Sequence, residues 1–119
     1  MSQRSEIWLD GTPTITLPLP DRGFDFGDGV FETILMHQGA PLFADFHLER
    51  LSLGLQALAI PDCIAAAREQ LDSVASTTHW RWAVLRLSVS RGSGERGYTP
   101  SDNAVPRILI SVSQLDRDC

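Results

Sequence analysis

Two helical patterns follow one another directly in the middle of the chain, with strand patterns on either side. The first runs from Asp45 to Ile60, where Pro61 stops it, and repeats leucine at helical spacing. The second follows Asp62, a residue type suited to cap a helix N-terminus. Because no strand separates the two helices, a βαβ winding does not fit. The sequence predicts an α+β fold with a mainly antiparallel sheet and both helices packed on one of its faces.

Alternation of apolar and polar residues predicts the strands of this sheet. Residues 83–90 and 107–113 alternate cleanly, and a long glycine-rich loop joins them. Near the start of the chain, residues 7–9 are typical of a strand that turns at Asp10-Gly11 and pairs with Thr14 to Leu17. The predicted sheet therefore draws strands from both ends of the chain.

The stretch from Asp21 to Leu51 combines a glycine turn, a strand and the start of the first helix. Gly27-Asp28-Gly29 allows positive φ angles and the close approach of a ligand. Val30 to Met36 has apolar residues on both alternation sets, which predicts a strand buried on both faces. Gln38-Gly39 then predicts a reversal into a short return strand at Leu42-Phe43. We interpret this stretch as the candidate site.

Length and composition exclude several classes of protein. The 119 residues fit one domain, residues 1–119, with 43% apolar and 21% charged residues. A net charge of −5 without a basic patch argues against nucleic acid as a partner, and no apolar run is long enough for a membrane span. Cys63 and Cys119 form neither a disulfide framework nor a metal cluster. We expect no metal and a cytoplasmic location.

Lysine is absent from the whole sequence, because all ten basic residues are arginine. A guanidinium group stays protonated at any working pH, so arginine cannot replace lysine as an amine nucleophile. This chain therefore supplies no lysine for a Schiff base.

The arginines of the candidate site have more than one interpretation. The loop from Arg91 to Tyr98 contains GSGERG, but a strand rather than a helix follows it, which does not fit a nucleotide-binding turn. Its guanidinium groups could bind carboxylates, or the loop could be an ordinary solvated hairpin. Arg50, on the flank of the first helix, could be a salt-bridged surface residue, and a lone histidine such as His47 is rarely a metal ligand. The residues alone leave these alternatives open.

Three motifs in this order resemble a known family. They are D-R-G-F-D-F-G-D-G-V-F-E-T from Asp21, H-L-E-R-L from His47 and S-R-G-S-G-E-R-G-Y from Ser90. Together they resemble the N-terminal small domain of class IV (fold-type IV) pyridoxal-phosphate enzymes, which include branched-chain and D-amino acid aminotransferases and 4-amino-4-deoxychorismate lyase. The resemblance covers nearly the whole chain, and the third motif is most similar to the lyase branch.

The resemblance implies roles for individual residues. The arginine of H-x-x-R-L contacts the phosphate of pyridoxal 5′-phosphate in the family, which would make Arg50 a cofactor ligand. The positions of Phe26 and Phe31 match residues that wall the substrate side of the pocket. A second set matches the loop that closes over the site and would hold the carboxylates of the substrate: Arg91, Arg96 and Tyr98.

The resemblance also implies what this chain lacks. The family's cofactor-binding lysine belongs to a larger C-terminal domain, so we expect residues 1–119 to be part of a longer protein and to be inactive alone. The intact protein would be a homodimer that converts 4-amino-4-deoxychorismate to p-aminobenzoate and pyruvate for folate biosynthesis. A D-amino acid or branched-chain aminotransferase and a truncated, non-catalytic domain are the alternatives.

Overall fold

The architecture is a six-stranded antiparallel sheet with two helices. The structure, a computed structural model, describes residues 5–14, 29–91 and 106–115. The elements in chain order are β1 (Ser5–Leu9), β2 (Thr12–Pro13), β3 (Gly29–His37), β4 (Ala40–Pro41), α1 (Ala44–Ala57), α2 (Ile64–Thr77), β5 (Trp82–Ser90) and β6 (Arg107–Gln114).

All strand pairs are antiparallel, and the sheet order is β2-β1-β6-β5-β3-β4. The longest pairing joins β3 to β5, in a register that runs from Gly29 opposite Ser90 to His37 opposite Trp82. The two predicted strands near the C-terminus, β5 and β6, pair with each other along their length. The predicted α+β fold with a mainly antiparallel sheet is confirmed.

The core lies between one face of the sheet and the two helices. Every second residue of β3, β5 and β6 faces that side and is buried, except Val30 and Gln114, which are half-buried. Three leucines of α1 and four residues of α2 close the core from the other side. The residues of the core that are completely shielded from solvent are Ile34, Met36, Ala67, Leu71, Ala83, Leu85, Leu87, Ile110 and Val112.

The short hairpins begin earlier than predicted. The partner of β1 is Thr12–Pro13; Thr14 donates its N–H to the carbonyl of Ile7 at 2.9 Å, and the rest of the predicted strand, 15–17, lies outside the described residues. The return strand β4 is Ala40–Pro41 rather than Leu42-Phe43. Phe43 instead has φ 58° at the N-terminus of α1. A left-handed residue cannot continue a strand, which explains the shift.

The helices differ from the prediction mainly at their ends. Helix α1 stops at Ala57 instead of reaching Ile60, because Ala59 has a φ of 54° and ends the helical backbone before Pro61. Helix α2 begins after Cys63, and the carboxylate of Asp62 accepts a hydrogen bond from the N–H of Ile64 at 3.0 Å. The N-cap is thus Cys63, one residue after the predicted Asp62, although the Asp62 carboxylate still accepts a hydrogen bond from the first residue of α2.

The prediction that β3 is buried on both faces is wrong for the described part of the chain. Phe31 is 54% exposed and Thr33 is also exposed, whereas Ile34 and Met36 are buried. Both helices cover the same face of the sheet, so the opposite face of β3 has no layer over it among the described residues. We call this opposite side of the sheet the open face.

Helix α1 approaches β3 closely at Gly54. A Cβ at this position would lie 2.9 Å from Cγ1 of Val30 and 3.4 Å from its Cβ. Real Cβ atoms do not pack so near another carbon, so the small residue allows the helix to sit directly on the strand.

A double-mutant cycle tests this contact. Gly54→Ala adds helix propensity worth about 1 kcal/mol but forces overlap that typically costs about 1–3 kcal/mol. In the Val30→Ala background the overlap disappears, and Gly54→Ala should then stabilise the protein. We expect a coupling free energy of about 1 kcal/mol or more from urea unfolding of the four variants. Additive effects would mean that Gly54 does not set the distance between helix and strand.

Candidate functional site

A carboxylate, an imidazole and a guanidinium meet where α1 crosses β3. Glu32 lies on the helix-facing side of β3, and His47 and Arg50 lie three positions apart on α1, so they project from the same side of that helix. The Nδ1 atom of His47 is 2.7 Å from Oε1 of Glu32, and Nε of Arg50 is 3.7 Å from Oε2. We call Glu32, His47 and Arg50 the carboxylate cluster.

Burial makes the Glu32 carboxylate dependent on its partners. The residue is only 8% exposed, in a position of the strand that otherwise faces the apolar core. A buried carboxylate without hydrogen bonds or a counter-charge costs several kcal/mol, so it remains there only if its oxygens are satisfied. His47 supplies a hydrogen bond to Oε1, and Arg50 supplies a counter-charge 3.7 Å from Oε2.

The same contacts hold Arg50 in a defined direction. Its side chain is 59% exposed, and its Nε edge faces Glu32. The ring of Phe46 lies 5.8 Å from its Cζ atom, which adds a weak cation–π contact. No other acidic side chain within ion-pair distance of Arg50 is found in the described part of the chain. The two terminal nitrogens therefore remain suited to bind a phosphate or carboxylate ligand.

Glu32 was not predicted as a site residue, although the sequence holds a signal for it. Val30, Ile34 and Met36 occupy one alternation set of β3, and Glu32 is the single charged member of that set. A charge at a buried alternation position requires a buried partner. Its partners, His47 and Arg50, lie at least 15 residues further along the chain, so the sequence pattern of β3 does not identify them.

A second cluster lies on the open face of the sheet. The ring of Phe31 on β3 is covered by Arg86 on β5, whose Cζ atom is 3.9 Å from the ring centroid. Both side chains are exposed. Phe31 is opposite Ser88 in the register and Arg86 is opposite Thr33, so the contact runs diagonally across the strand pair. Arg86 was not predicted either, because as the polar member of an alternating strand it resembles any solvated residue.

Arg91 has a structural role in addition to the one the resemblance implies. It is 8% exposed, and its guanidinium donates to the carbonyl of Leu58 at 2.5 Å and to that of Ala59 at 3.1 Å. These carbonyls follow the last turn of α1 and have no further helix to pair with. Arg91 thus ties the end of β5 to the end of α1. Its binding of a substrate carboxylate stays a prediction.

The other predicted substrate residues, Phe26, Arg96 and Tyr98, lie outside the described residues. The structure therefore brings together Arg50 with Glu32 and Phe31 with Arg86, on opposite faces of the sheet. Strand β4 pairs only with Met36 and His37, so among the described residues β3 has no strand partner on that side from Gly29 to Ile34. A ligand at this edge of β3 could reach both faces.

Other polar groups of the described chain do not form a site of this kind. Burial raises the pKa of the Cys63 thiol, and the nearby carboxylates of Asp62 and Asp10 raise it further. The thiol is therefore protonated near neutral pH and is a poor nucleophile. No group of three metal-ligating side chains is found in the described ranges, and neither described helix has the length and apolar character to cross a bilayer.

Comparison with known proteins places the chain in a family. The family model "Amino-transferase class IV" matches residues 29–118. The chain belongs to the class IV aminotransferase family. It is 37% identical over 106 residues to aminodeoxychorismate lyase of Vibrio harveyi, and 28% identical over 119 residues to D-alanine aminotransferase of Bacillus licheniformis. The crystal structure of 4-amino-4-deoxychorismate lyase from Pseudomonas aeruginosa is 41% identical, with a TM-score of 0.82.

The class IV chain described here spans about two fifths of these relatives. The matches to the two lyases cover 88% and 91% of this chain but 38% and 39% of theirs, and the aminotransferase match covers 98% of this chain and 39% of the relative. The similarity therefore extends over less than half of the length of each relative.

We expect Arg91→Met to destabilise the fold. It removes hydrogen bonds to two carbonyls that sit in a partly buried place, and a hydrogen bond from a charged donor is worth roughly 1.5–3 kcal/mol. Urea unfolding should show a loss of about 2 kcal/mol or more. Arg68→Met is the matched control, since Arg68 pairs with Asp45 at 2.7 Å on the surface, where the two side chains are 47% and 90% exposed. Equal losses for the two variants would contradict the structural role of Arg91.

Proposed function

We propose that the full-length protein, meaning the whole product of the gene that encodes this chain, is a pyridoxal-phosphate-dependent aminodeoxychorismate lyase. It would convert 4-amino-4-deoxychorismate to p-aminobenzoate and pyruvate, a step toward folate. The observation that carries the proposal is the similarity to lyases over 88% and 91% of the chain at 37% and 41% identity, against identities of 28% and 35% for two aminotransferases of the family.

The carboxylate cluster fits the phosphate of the cofactor. A doubly charged phosphate needs donors in a fixed direction, and Arg50 offers its two terminal nitrogens while Glu32 restrains Nε. When bound, pyridoxal phosphate supplies an electron sink for the carbanion that follows loss of the substrate α-proton. In this chain, Arg50 would bind the phosphate and Glu32 with His47 would keep Arg50 in place.

The open face fits the substrate side of the same site. Phe31 presents an exposed aromatic ring near the start of β3 and would wall the substrate, excluding water from it. The implied partners Phe26, Arg96 and Tyr98 would complete the wall and hold the substrate carboxylates, together with Arg91. These assignments rest on the matched motifs.

The remaining elements of the proposal concern the rest of the full-length protein. A lysine outside residues 1–119 would bind the cofactor covalently, since this chain has none. We further propose a cytoplasmic homodimer. Residues 1–119 alone would be inactive.

The second candidate function is transamination of amino acids. It is favoured by the match to the D-alanine aminotransferase, which extends over 98% of the chain, and by a putative branched-chain aminotransferase of Methanocaldococcus jannaschii that is 35% identical over 92 residues. Lyases and aminotransferases of this family share one fold, so the two candidate functions have to be distinguished by the product that the protein forms.

The deciding experiment measures both reactions on the purified full-length protein. Incubation with 4-amino-4-deoxychorismate should release p-aminobenzoate and pyruvate in equal amounts, detected by chromatography. Transamination of D-alanine or leucine without p-aminobenzoate would overturn the lyase proposal in favour of the aminotransferase. An open reading frame that stops directly after Cys119 would favour the non-catalytic alternative.

Arg50→Ala in the full-length protein should weaken the cofactor more than the substrate. The lost group is a charged donor worth roughly 1.5–3 kcal/mol, so the dissociation constant of pyridoxal phosphate should rise by about one to two decades. Equilibrium titration of apoprotein, followed by the absorbance of bound cofactor, provides the measurement.

Two further variants test whether the loss of cofactor affinity is specific to Arg50 and its contact with Glu32. Glu32→Gln should raise the same constant by a smaller factor, because Arg50 stays but loses its restraint. Arg68→Ala, a change at an exposed arginine on α2, should leave it unchanged. If Arg50→Ala leaves the dissociation constant of pyridoxal phosphate unchanged, Arg50 is an ordinary surface residue and not a phosphate ligand.

A further inference from the structure

Arg86 lies in the middle of β5, on the open face of the sheet. Its register partners are Thr33 on β3 and Ser111 on β6. Its Cζ atom lies 3.9 Å from the centroid of the Phe31 ring, which is within stacking distance. The contact with this aromatic ring thus favours one position of the Arg86 side chain.

No carboxylate on the open face neutralises Arg86 among the described strands. The two glutamates of these strands face the other way. Glu32 points toward α1, and Glu6 is in register with Val112, a buried residue of the helix-covered face. The described side chains of the open face near Arg86 are aromatic, aliphatic or hydroxyl-bearing. Within the described strands, Arg86 is therefore a positive charge near the middle of the open face without an acidic neighbour on that face.

Stacking on Phe31 leaves the binding edge of the guanidinium available. The Cζ atom lies over the ring at 3.9 Å, whereas all five N–H donors lie in the plane of the guanidinium and point outward from Cζ. A carboxylate that approaches in this plane can accept two parallel hydrogen bonds. The hydroxyl of Thr33, on the strand next to Arg86, is a further donor on the same face.

We propose that Arg86, oriented by Phe31, binds a carboxylate of the substrate and thereby favours substrates that carry a second carboxylate. The inference rests on the proposed function, which places the substrate against Phe31. The proposed substrate has two carboxylates, one on the ring and one on the enolpyruvyl group. An amino acid with an apolar side chain has one.

The test compares Arg86→Gln and Arg86→Lys in the full-length, cofactor-loaded protein. For Arg86→Gln, KM for 4-amino-4-deoxychorismate should rise about ten- to a hundredfold while kcat changes less, since a charge-assisted pair is lost. Arg86→Lys should restore part of the loss, because it keeps the charge but not the planar fork. Arg81→Gln, at an exposed arginine just before β5, is the control and should match the wild type.

A binding measurement gives a readout that does not depend on turnover. Chorismate carries both carboxylates and has a hydroxyl in place of the amine, so its dissociation constant can be determined by calorimetry. Arg86→Gln should raise this constant by a factor similar to the change in KM. Phe31→Leu should raise it less, because the charge remains but its orientation is lost.

Two results would overturn the inference. One is a KM and a chorismate dissociation constant within twofold of the wild type for Arg86→Gln. The other is a lower melting temperature with unchanged KM, which would make Arg86 part of an ion pair with another part of the protein. Failure of the lyase proposal is visible separately, as absence of p-aminobenzoate from the wild type. In that event, Arg86→Gln should lower kcat/KM for glutamate more than for alanine.

Discussion

The antiparallel register between β3 and β5 determines where every candidate residue faces. Nine residue pairs join the two strands, from Gly29 opposite Ser90 to His37 opposite Trp82. Because side chains alternate, a slip of one residue would exchange the two faces of β3. Glu32 would then point away from α1, and Phe31 would point into the core. The burial of Ile34, Met36, Leu85 and Leu87 fixes the register, so packing of ordinary apolar residues sets the geometry of both clusters.

Close contact between α1 and β3 completes the carboxylate cluster. Gly54 allows the helix to approach Val30, and two turns earlier His47 comes within 2.7 Å of Glu32. A buried carboxylate in this position contributes little or nothing to stability by itself, since its desolvation offsets the gain from its partners. It does make the direction of Arg50 specific. In the proposed function, the contribution of the cluster is therefore the direction of Arg50 rather than stability.

The sequence predicted the features that depend on local periodicity. The alternation in β5 and β6 and the leucine repeat of α1 each place their apolar residues on one face of the element. The structure buries those faces in the core. Arg50 could be singled out only through the resemblance, because a charged residue on a helix flank looks the same with or without a ligand. Glu32 and Arg86 escaped prediction since their partners come from other elements. The end of α1 was misjudged because Ala59 takes a left-handed conformation that favours glycine, which local sequence does not indicate.

The two clusters lie on opposite faces of the sheet, yet both are near the start of β3. Within the described chain this part of β3 has no neighbour on the side away from β5, and an unpaired edge next to exposed aromatic residues favours association with other segments. Phe31 on one face and Phe46 on the other are 54% and 56% exposed. If one ligand has its phosphate at Arg50 and its reacting end at Phe31, it has to pass around this edge. The edge would then be kept open because the ligand, rather than another strand, occupies it.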